Sequence, residues 1–353
     1  DWGRHLGHSS SSLVNASTWA LMLTGRVLDE TEDPGITGIL RAAVKRLGEP
    51  VIRTAARQAM REMGQQFVLG QDMGAALARA ARLEADGYTY SYDMLGEAAR
   101  TEGDARRYFE AYADAIRRIG KVAKAGDMRD RPGISVKLSA LHPRYEEAQR
   151  ARVLDELTPR LTELTRAEAR AGIGLNIDAE EADRLELSLD VIEAALGDAE
   201  LPGWDGFGVV VQAYGLRAGD VIDHLGGLAR QHDRRLMVRL FKGAYWDTEI
   251  KLAQVAGMDR FPVFSAKAAT DISYVANARR LLGMTDRLYP QFATHNAHTV
   301  AAVLDMSDDL QAFEFQRLHG MGERLFEIVK AEHGTRCRIY APVGAHRDLL
   351  AYL

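Results

Sequence analysis

The chain has 353 residues, enough for about two domains or one large barrel with an appendage. Apolar residues make up 46% and charged residues 27%, which excludes wholesale disorder, and 45 basic against 50 acidic side chains (net −5) argue against nucleic acid as a partner. The single cysteine, Cys337, excludes a disulfide framework and a multi-cysteine metal centre, and no apolar run approaches the ~18 residues of a membrane span.

The sequence opens Asp1-Trp2-Gly3 without an initiator methionine or a secretory apolar stretch. It closes on Leu349-Leu350-Ala351-Tyr352-Leu353, inside an apolar helical pattern, so it reads as a piece of a longer protein. Residues 13–28, 36–47, 51–69 and 73–86 carry apolar side chains at mixed spacings of three and four, which predicts helices. Ser9 to Ser12 read as a flexible linker, and the polar run Asp29 to Gly35 as a turn-rich connection. This gives a helical arm and α-domain over 1–86.

From Tyr88 the texture changes to short β-rich runs alternating with helical stretches. Strands are predicted over 88–94, 134–138, 175–177, 208–212, 236–241, 289–294, 313–316 and 338–342. Thr101 with Asp104 predicts a capped helix whose face is Ala105, Tyr108, Tyr112, Ile116 and Ile119. Further helical stripes are Leu154, Leu157, Leu161 and Leu164; then Leu185, Leu189, Ile192 and Leu196; then Val221, Leu225 and Leu228. Eight strands, each followed by a helix, predict an α/β fold, a (β/α)8 TIM-type barrel over 87–353, with a doubly wound sheet as the structural alternative. The long link between the fifth and sixth strands should hold two helices.

Barrel active sites lie at the carboxyl ends of the strands. The polar residues nearest those ends are Asp93 with Glu97, Lys137, Asp178, Gln212, Arg239 with Lys242, His295 with Asn296, Gln316 and Tyr340. Each has a plain reading beside a functional one. Lys137 is either a surface lysine or a cation inside the barrel that binds a carboxylate or forms a Schiff base. Asp178 is either the cap of the next helix or a site carboxylate. Arg239 to Trp246 places two cations at a strand end, then a Gly-Ala pair that lets a ligand approach the backbone, then two aromatics able to wall a planar ring. His295 and His298 have no acidic partner at metal-binding spacing, and no complete G-x-G-x-x-G, P-loop or G-x-S-x-G occurs. Residue chemistry alone leaves open a site for a planar ligand, a Schiff-base aldolase or lyase using Lys137 or Lys242, a metal hydrolase using His295, His298 and Asp178, and a scaffold.

Longer segments narrow the choice. Gly133 to Tyr145, Asn176 to Glu181, Arg239 to Trp246, Tyr289 to His298 and Arg338 to Gly344 resemble, in order, the proline dehydrogenase domain of bifunctional bacterial proline utilization A flavoenzymes. The resemblance spans essentially the whole chain, and the helical leader matches as well. It implies a distorted barrel that binds FAD noncovalently and oxidises L-proline to Δ1-pyrroline-5-carboxylate, the first step of proline catabolism. Hydride would pass to flavin N5 and electrons on to ubiquinone, in a cytoplasmic protein with a peripheral contact at the inner membrane face.

The resemblance also implies roles for residues. Gln212, Arg239, Lys242, Gly243, Ala244, Tyr245 and Trp246 line the flavin and its ribityl-phosphate chain. Ser265, Lys267 and Thr270 lie near the adenosine diphosphate, and His295, Asn296, Gln316 and Leu318 hold the far side of the cofactor. Lys137 pairs with the substrate carboxylate. Asp178 organises the polar network beside flavin and substrate, while Tyr245, Leu318, Tyr340 and Tyr352 wall the pyrrolidine ring.

Three departures stand out. In the family the helix bearing Tyr352 continues into two arginines that clamp the substrate carboxylate, and this sequence stops before them; Glu97, which pairs with one of them, is present. Ser265-Ala266 stands where the family has Thr and Arg. Neither the family's N-terminal DNA-binding module nor its aldehyde dehydrogenase module is expected in this chain.

Overall fold

The computed structural model describes residues 67–197, 201 and 203–344. The helices expected before residue 67, the serine run and Tyr352 lie outside the described residues. The chain divides into two compact units, 1–65 and 66–353. The second starts earlier than the expected residue 87, because helix α1 (Met73–Ala85) buries Met73, Ala76 and Ala80 in the same apolar core as Tyr90 and Tyr92.

Eight parallel strands close a barrel in sequence order, β1 to β8, with β1 paired to β8. They are β1 (Thr89–Met94), β2 (Gly133–Val136), β3 (Gly174–Ile177), β4 (Phe207–Gln212), β5 (Leu236–Phe241), β6 (Leu288–Ala293), β7 (Glu314–Leu318) and β8 (Arg336–Val343). Between them run α2 (Glu102–Val122), α3 (Leu138–Leu141), α4 (Arg150–Ala171), α5 (Leu185–Leu196), α6 (Ala218–Gln231), α7 (Trp246–Val255), α8 (Lys267–Leu282), α9 (Ala297–Met306) and α10 (Glu323–His333). The link after β5 holds α7 and α8, the two helices expected there. A closed sheet with covering helices replaces the doubly wound alternative.

Local chemistry explains the element ends. At the start of α2, Thr101 accepts from the Asp104 amide and Asp104 returns a bond to the Thr101 amide, a capping box that satisfies two otherwise orphaned donors. α4 stops at Gly172, whose φ of 65° is the left-handed conformation that glycine adopts without a Cβ penalty. Among the described residues no helix is long and apolar enough to cross a membrane.

Strand periodicity separates two interiors. Val209, Val211, Val238, Leu240, Phe292, Phe315 and Ile339 point outward into the main apolar core, where α2, α4, α5 and α6 bury their stripes. The intervening side chains face the lumen, where buried Val210 and Met237 stand beside the polar Arg239, Gln291, Glu314, Gln316 and Arg338. The floor is plugged by a buried pair in which Arg338 donates to Glu314 at 2.6 and 3.1 Å, while Gln291 and Gln316 each donate to Glu314 at 2.9 Å.

Candidate active site

Above that floor, five strands deliver one connected cluster. Ser91 and Asp93 on β1, Ser135 on β2 with Lys137 just past its end, Asp178 just past β3, Arg239 on β5 and Tyr340 on β8 all face the lumen. Register sets their heights: Ser91 pairs with Tyr340, and Asp93 with Ser135. Lys137 Nζ donates to Asp93 Oδ1 at 2.7 Å and to Asp178 Oδ2 at 3.2 Å. Tyr340 donates its hydroxyl to Asp178 Oδ2 at 3.0 Å. Arg239 crosses the barrel: Nη1 donates to Asp178 Oδ1 at 3.0 Å and to Ser135 Oγ at 3.1 Å, and Nη2 donates to Ser91 Oγ at 2.9 Å.

The cluster is almost dry. The side chains of Lys137, Arg239 and Asp178 are 4%, 5% and 11% exposed. Burial pushes the Asp93 carboxyl above its usual range and the adjacent Lys137 ammonium opposes that shift. Burial likewise drives the Tyr340 phenol well above its ordinary value, assisted by Asp178 and Asp93. Lys137 is therefore no surface lysine. Asp178 caps no helix either: a short 3-10 turn, Ala182–Arg184, intervenes before α5.

A second ring surrounds this centre. Gln212 donates to the Glu180 carbonyl at 2.8 Å and accepts from the Ala244 amide at 3.2 Å, tying two strand-end loops together. Gly243 has a φ of 138°, and a Cβ there would lie 2.4 Å from the Tyr214 ring. The Tyr245 amide donates to the Tyr214 hydroxyl at 3.3 Å, and burial raises the Tyr245 phenol, with Glu97 and Glu180 adding to the effect. Trp246 and Leu318 are 41% and 40% exposed at the rim, large apolar surfaces left uncovered. Trp246 Nε1 donates to the Phe264 carbonyl at 2.9 Å. His295 accepts from the Leu318 amide at 2.9 Å, and burial lowers its pKa. A cavity of about 250 Å³ opens between β3, β4, α5 and α6, with Asp178 and Gln212 among the residues that line it.

The remaining expected residues divide. Lys242 and Lys267 converge on Asp271, the second at 2.7 Å, which holds the Asp271 carboxyl below its ordinary value. Ser265, just ahead of α8, is exposed, and Thr270 in its first turn is buried. Asn296 caps α9 through the Thr299 amide at 3.1 Å, and Gln316 donates downward to Glu314.

The rival chemistries are not assembled. Among the described residues no three His, Cys, Asp or Glu side chains are placed to hold a metal ion, so His295, His298 and Asp178 do not converge. Both lysines named for a Schiff base are engaged by carboxylates, Lys137 by Asp93 and Asp178 and Lys242 by Asp271.

Sequence reasoning singled out Asp93 as a strand-end residue without assigning its role and passed over Ser91 and Ser135, although their alternation with Asp93 and Lys137 was a readable signal. It also missed Glu180 and Glu249, which accept from the Ser139 and Ala182 amides at 3.0 and 2.7 Å and pin the loops behind the site.

Comparison with known proteins agrees with this geometry. Residues 76–353 match the family model described as Proline dehydrogenase. Residues 1–67 match a model described as DNA-binding domain of Proline dehydrogenase, which corrects the expectation that no such module lies in the chain. The Bifunctional protein PutA of Salmonella typhimurium is 50% identical over 100% of this chain, which spans 27% of that protein's length. The Proline dehydrogenase of Deinococcus radiodurans is 30% identical over 90% of this chain and 93% of its own. A crystal structure of a Bradyrhizobium japonicum Proline Utilization A point mutant is 55% identical with a TM-score of 0.79, covering 99% of this chain and 36% of that one. That of Bdellovibrio bacteriovorus, inactivated by N-propargylglycine, superposes with a TM-score of 0.82 at 27% identity, over 97% of this chain and 37% of the other. The barrel, its strand-end cluster and these matches together identify the chain as a member of the proline dehydrogenase family.

Proposed function

We propose that the chain oxidises L-proline to Δ1-pyrroline-5-carboxylate on noncovalently bound FAD, with ubiquinone as onward acceptor through a peripheral contact at the cytoplasmic face of the inner membrane. The observation that carries this reading is Arg239, a buried guanidinium held at the mouth of the barrel by two serines and Asp178. When bound, FAD supplies the acceptor for the hydride that leaves the ring carbon beside the proline nitrogen.

The residues present suit such a cofactor. Arg239 Nε is buried with no hydrogen-bond partner among the described residues. Trp246 and Leu318 leave apolar surface at the rim, where a planar ring system would cover it. Lys242 and Lys267 stand near each other as cations for the phosphates. Arg239, Gln212, Gly243, Ala244 and Trp246 would hold the ring end, and Lys242, Ser265, Lys267 and Thr270 the phosphate end.

The chain's own residues then divide the work. Lys137 binds the proline carboxylate and fixes the reacting carbon in one pose. Tyr245, Leu318 and Tyr340 wall the ring and disfavour the charged form of its amine, which must be neutral to release hydride. Arg239 presents fixed positive charge where negative charge develops, and Asp178 holds Arg239, Lys137 and Tyr340 in register without reorganising.

Anaerobic titration of FAD-loaded protein with L-proline tests the reading. Bleaching of the flavin absorption is expected. Failure to retain FAD at saturation, or a bound flavin unchanged by proline, overturns it.

A further inference from the structure

The cluster contains more carboxylate than substrate binding asks for. Lys137 is offered as the anchor for an incoming carboxylate, yet its ammonium already meets Asp93 at 2.7 Å and Asp178 at 3.2 Å. Asp178 also serves Arg239 and Tyr340. Asp93 has a narrower place. Its side chain is 0% exposed, Oδ1 takes Lys137, and Oδ2 has no hydrogen-bond partner among the described residues. The groups facing it are Lys137 beyond β2, Asp178 beyond β3, Tyr340 on β8 and Tyr112 on α2, with Arg239 reached through Asp178.

Charge counting shows the consequence. With both carboxylates ionised, the two cations Lys137 and Arg239 are balanced to zero; with Asp93 protonated, the same four groups carry +1. A carboxylate entering a dry site meets net attraction only in the second state. We propose that Asp93 is a positioning residue for carboxylate recognition: it fixes the Lys137 ammonium, and by gaining or losing one proton it sets whether that charge is available to the substrate. The inference rests on the reading above, in which Lys137 binds the carboxylate. Burial, which already favours the protonated carboxyl of Asp93, works in the same direction.

By linkage, a bound carboxylate favours protonated Asp93, so binding takes up a proton and affinity falls as pH rises. The probe is tetrahydrofuran-2-carboxylate, a proline analogue whose ring oxygen does not titrate. Calorimetry on FAD-loaded protein, in buffers of different ionisation enthalpy, counts the protons. Wild type should take up a fraction of a proton per ligand, and its Kd should rise about tenfold from about pH 6 to about pH 9. Asp93→Asn keeps an acceptor for Lys137 but cannot titrate; it should bind with no proton uptake and a flat Kd. Asp93→Ala should be equally flat but weaker at every pH, because the ammonium loses its support.

Wild-type proton uptake persisting in Asp93→Asn overturns the proposal, as does wild type that binds the probe with no uptake and no pH dependence. If Asp93→Asn does not retain FAD, the wild-type uptake and Kd profile alone decide. Loss of proline-dependent bleaching in wild type would instead remove the proline oxidation reading, a result that calorimetry keeps separate.

Discussion

The Arg239 guanidinium lies 4.9 Å from the centre of the Tyr340 ring, and both side chains bond the same carboxylate, Asp178, on its two different oxygens. The cation therefore cannot shift without disturbing the aromatic wall. Such a triangle resists rearrangement, because breaking any side leaves a buried polar group without its partner.

Arg239→Met removes the charge while keeping much of the bulk. Hydrogen bonds to charged groups contribute about 1.5–3 kcal/mol. If the guanidinium stabilises negative charge on a reduced flavin, the two-electron midpoint potential should fall by about 30–60 mV. A potentiometric titration that finds no negative shift removes Arg239 from that role.

Lys137→Ala should weaken proline binding far more than it lowers flavin content. Deleting one member of a buried charged pair typically costs about 2–5 kcal/mol, here partly because Asp93 is left buried without its cation. The comparison is the proline KM, or analogue affinity, against flavin per protein. Wild-type affinity in the variant would dismiss Lys137 as an anchor.

Much of this is legible in the sequence. All eight strands were found, 236–241 to the residue, because β-branched and apolar runs between helical stripes are strong local signals. The Thr101–Asp104 box was readable for the same reason, since both partners lie within one turn. What escaped was which side chains meet across the predicted barrel. That Ser91 and Ser135 receive Arg239 depends on strands far apart in sequence meeting across a lumen, which no local pattern encodes. Asp271 between Lys242 and Lys267 was missed likewise, and so was the downward direction of Gln316, whose role had been inferred from resemblance. β7 was placed short: Phe313 packs edge-on against Phe292 ahead of the strand, and pairing runs on to Leu318.

Thr101→Ala should cost about 1 kcal/mol of stability, the usual value of an N-cap, while leaving flavin content unchanged. The Asp104 carboxyl, held low chiefly by its bond from the Thr101 hydroxyl, should move toward its ordinary value in the variant. Denaturant unfolding monitored by circular dichroism measures the first effect. A variant as stable as wild type would show that the box contributes nothing to the assembled barrel.

Glu168 offers a test of stability away from the site. It lies on α4, which packs between α2 and α5; its side chain is fully buried, and neither carboxyl oxygen has a hydrogen-bond partner among the described residues. Burial raises its pKa well above the ordinary 4.5. In the window between the unfolded and the folded value, the native state binds more protons than the unfolded chain. Stability from this group is therefore fully present below about pH 4.5 and declines as pH rises toward the native value. Glu168→Gln keeps the shape and cannot ionise, so its stability relative to wild type should rise from acid pH to about pH 8, where ionising the buried carboxyl costs the wild type. The rise should level off toward acid pH, where wild-type Glu168 is neutral in both states. Urea melts of the two proteins across that range measure the difference directly. A difference that stays constant with pH would mean that Glu168 is not the group that titrates.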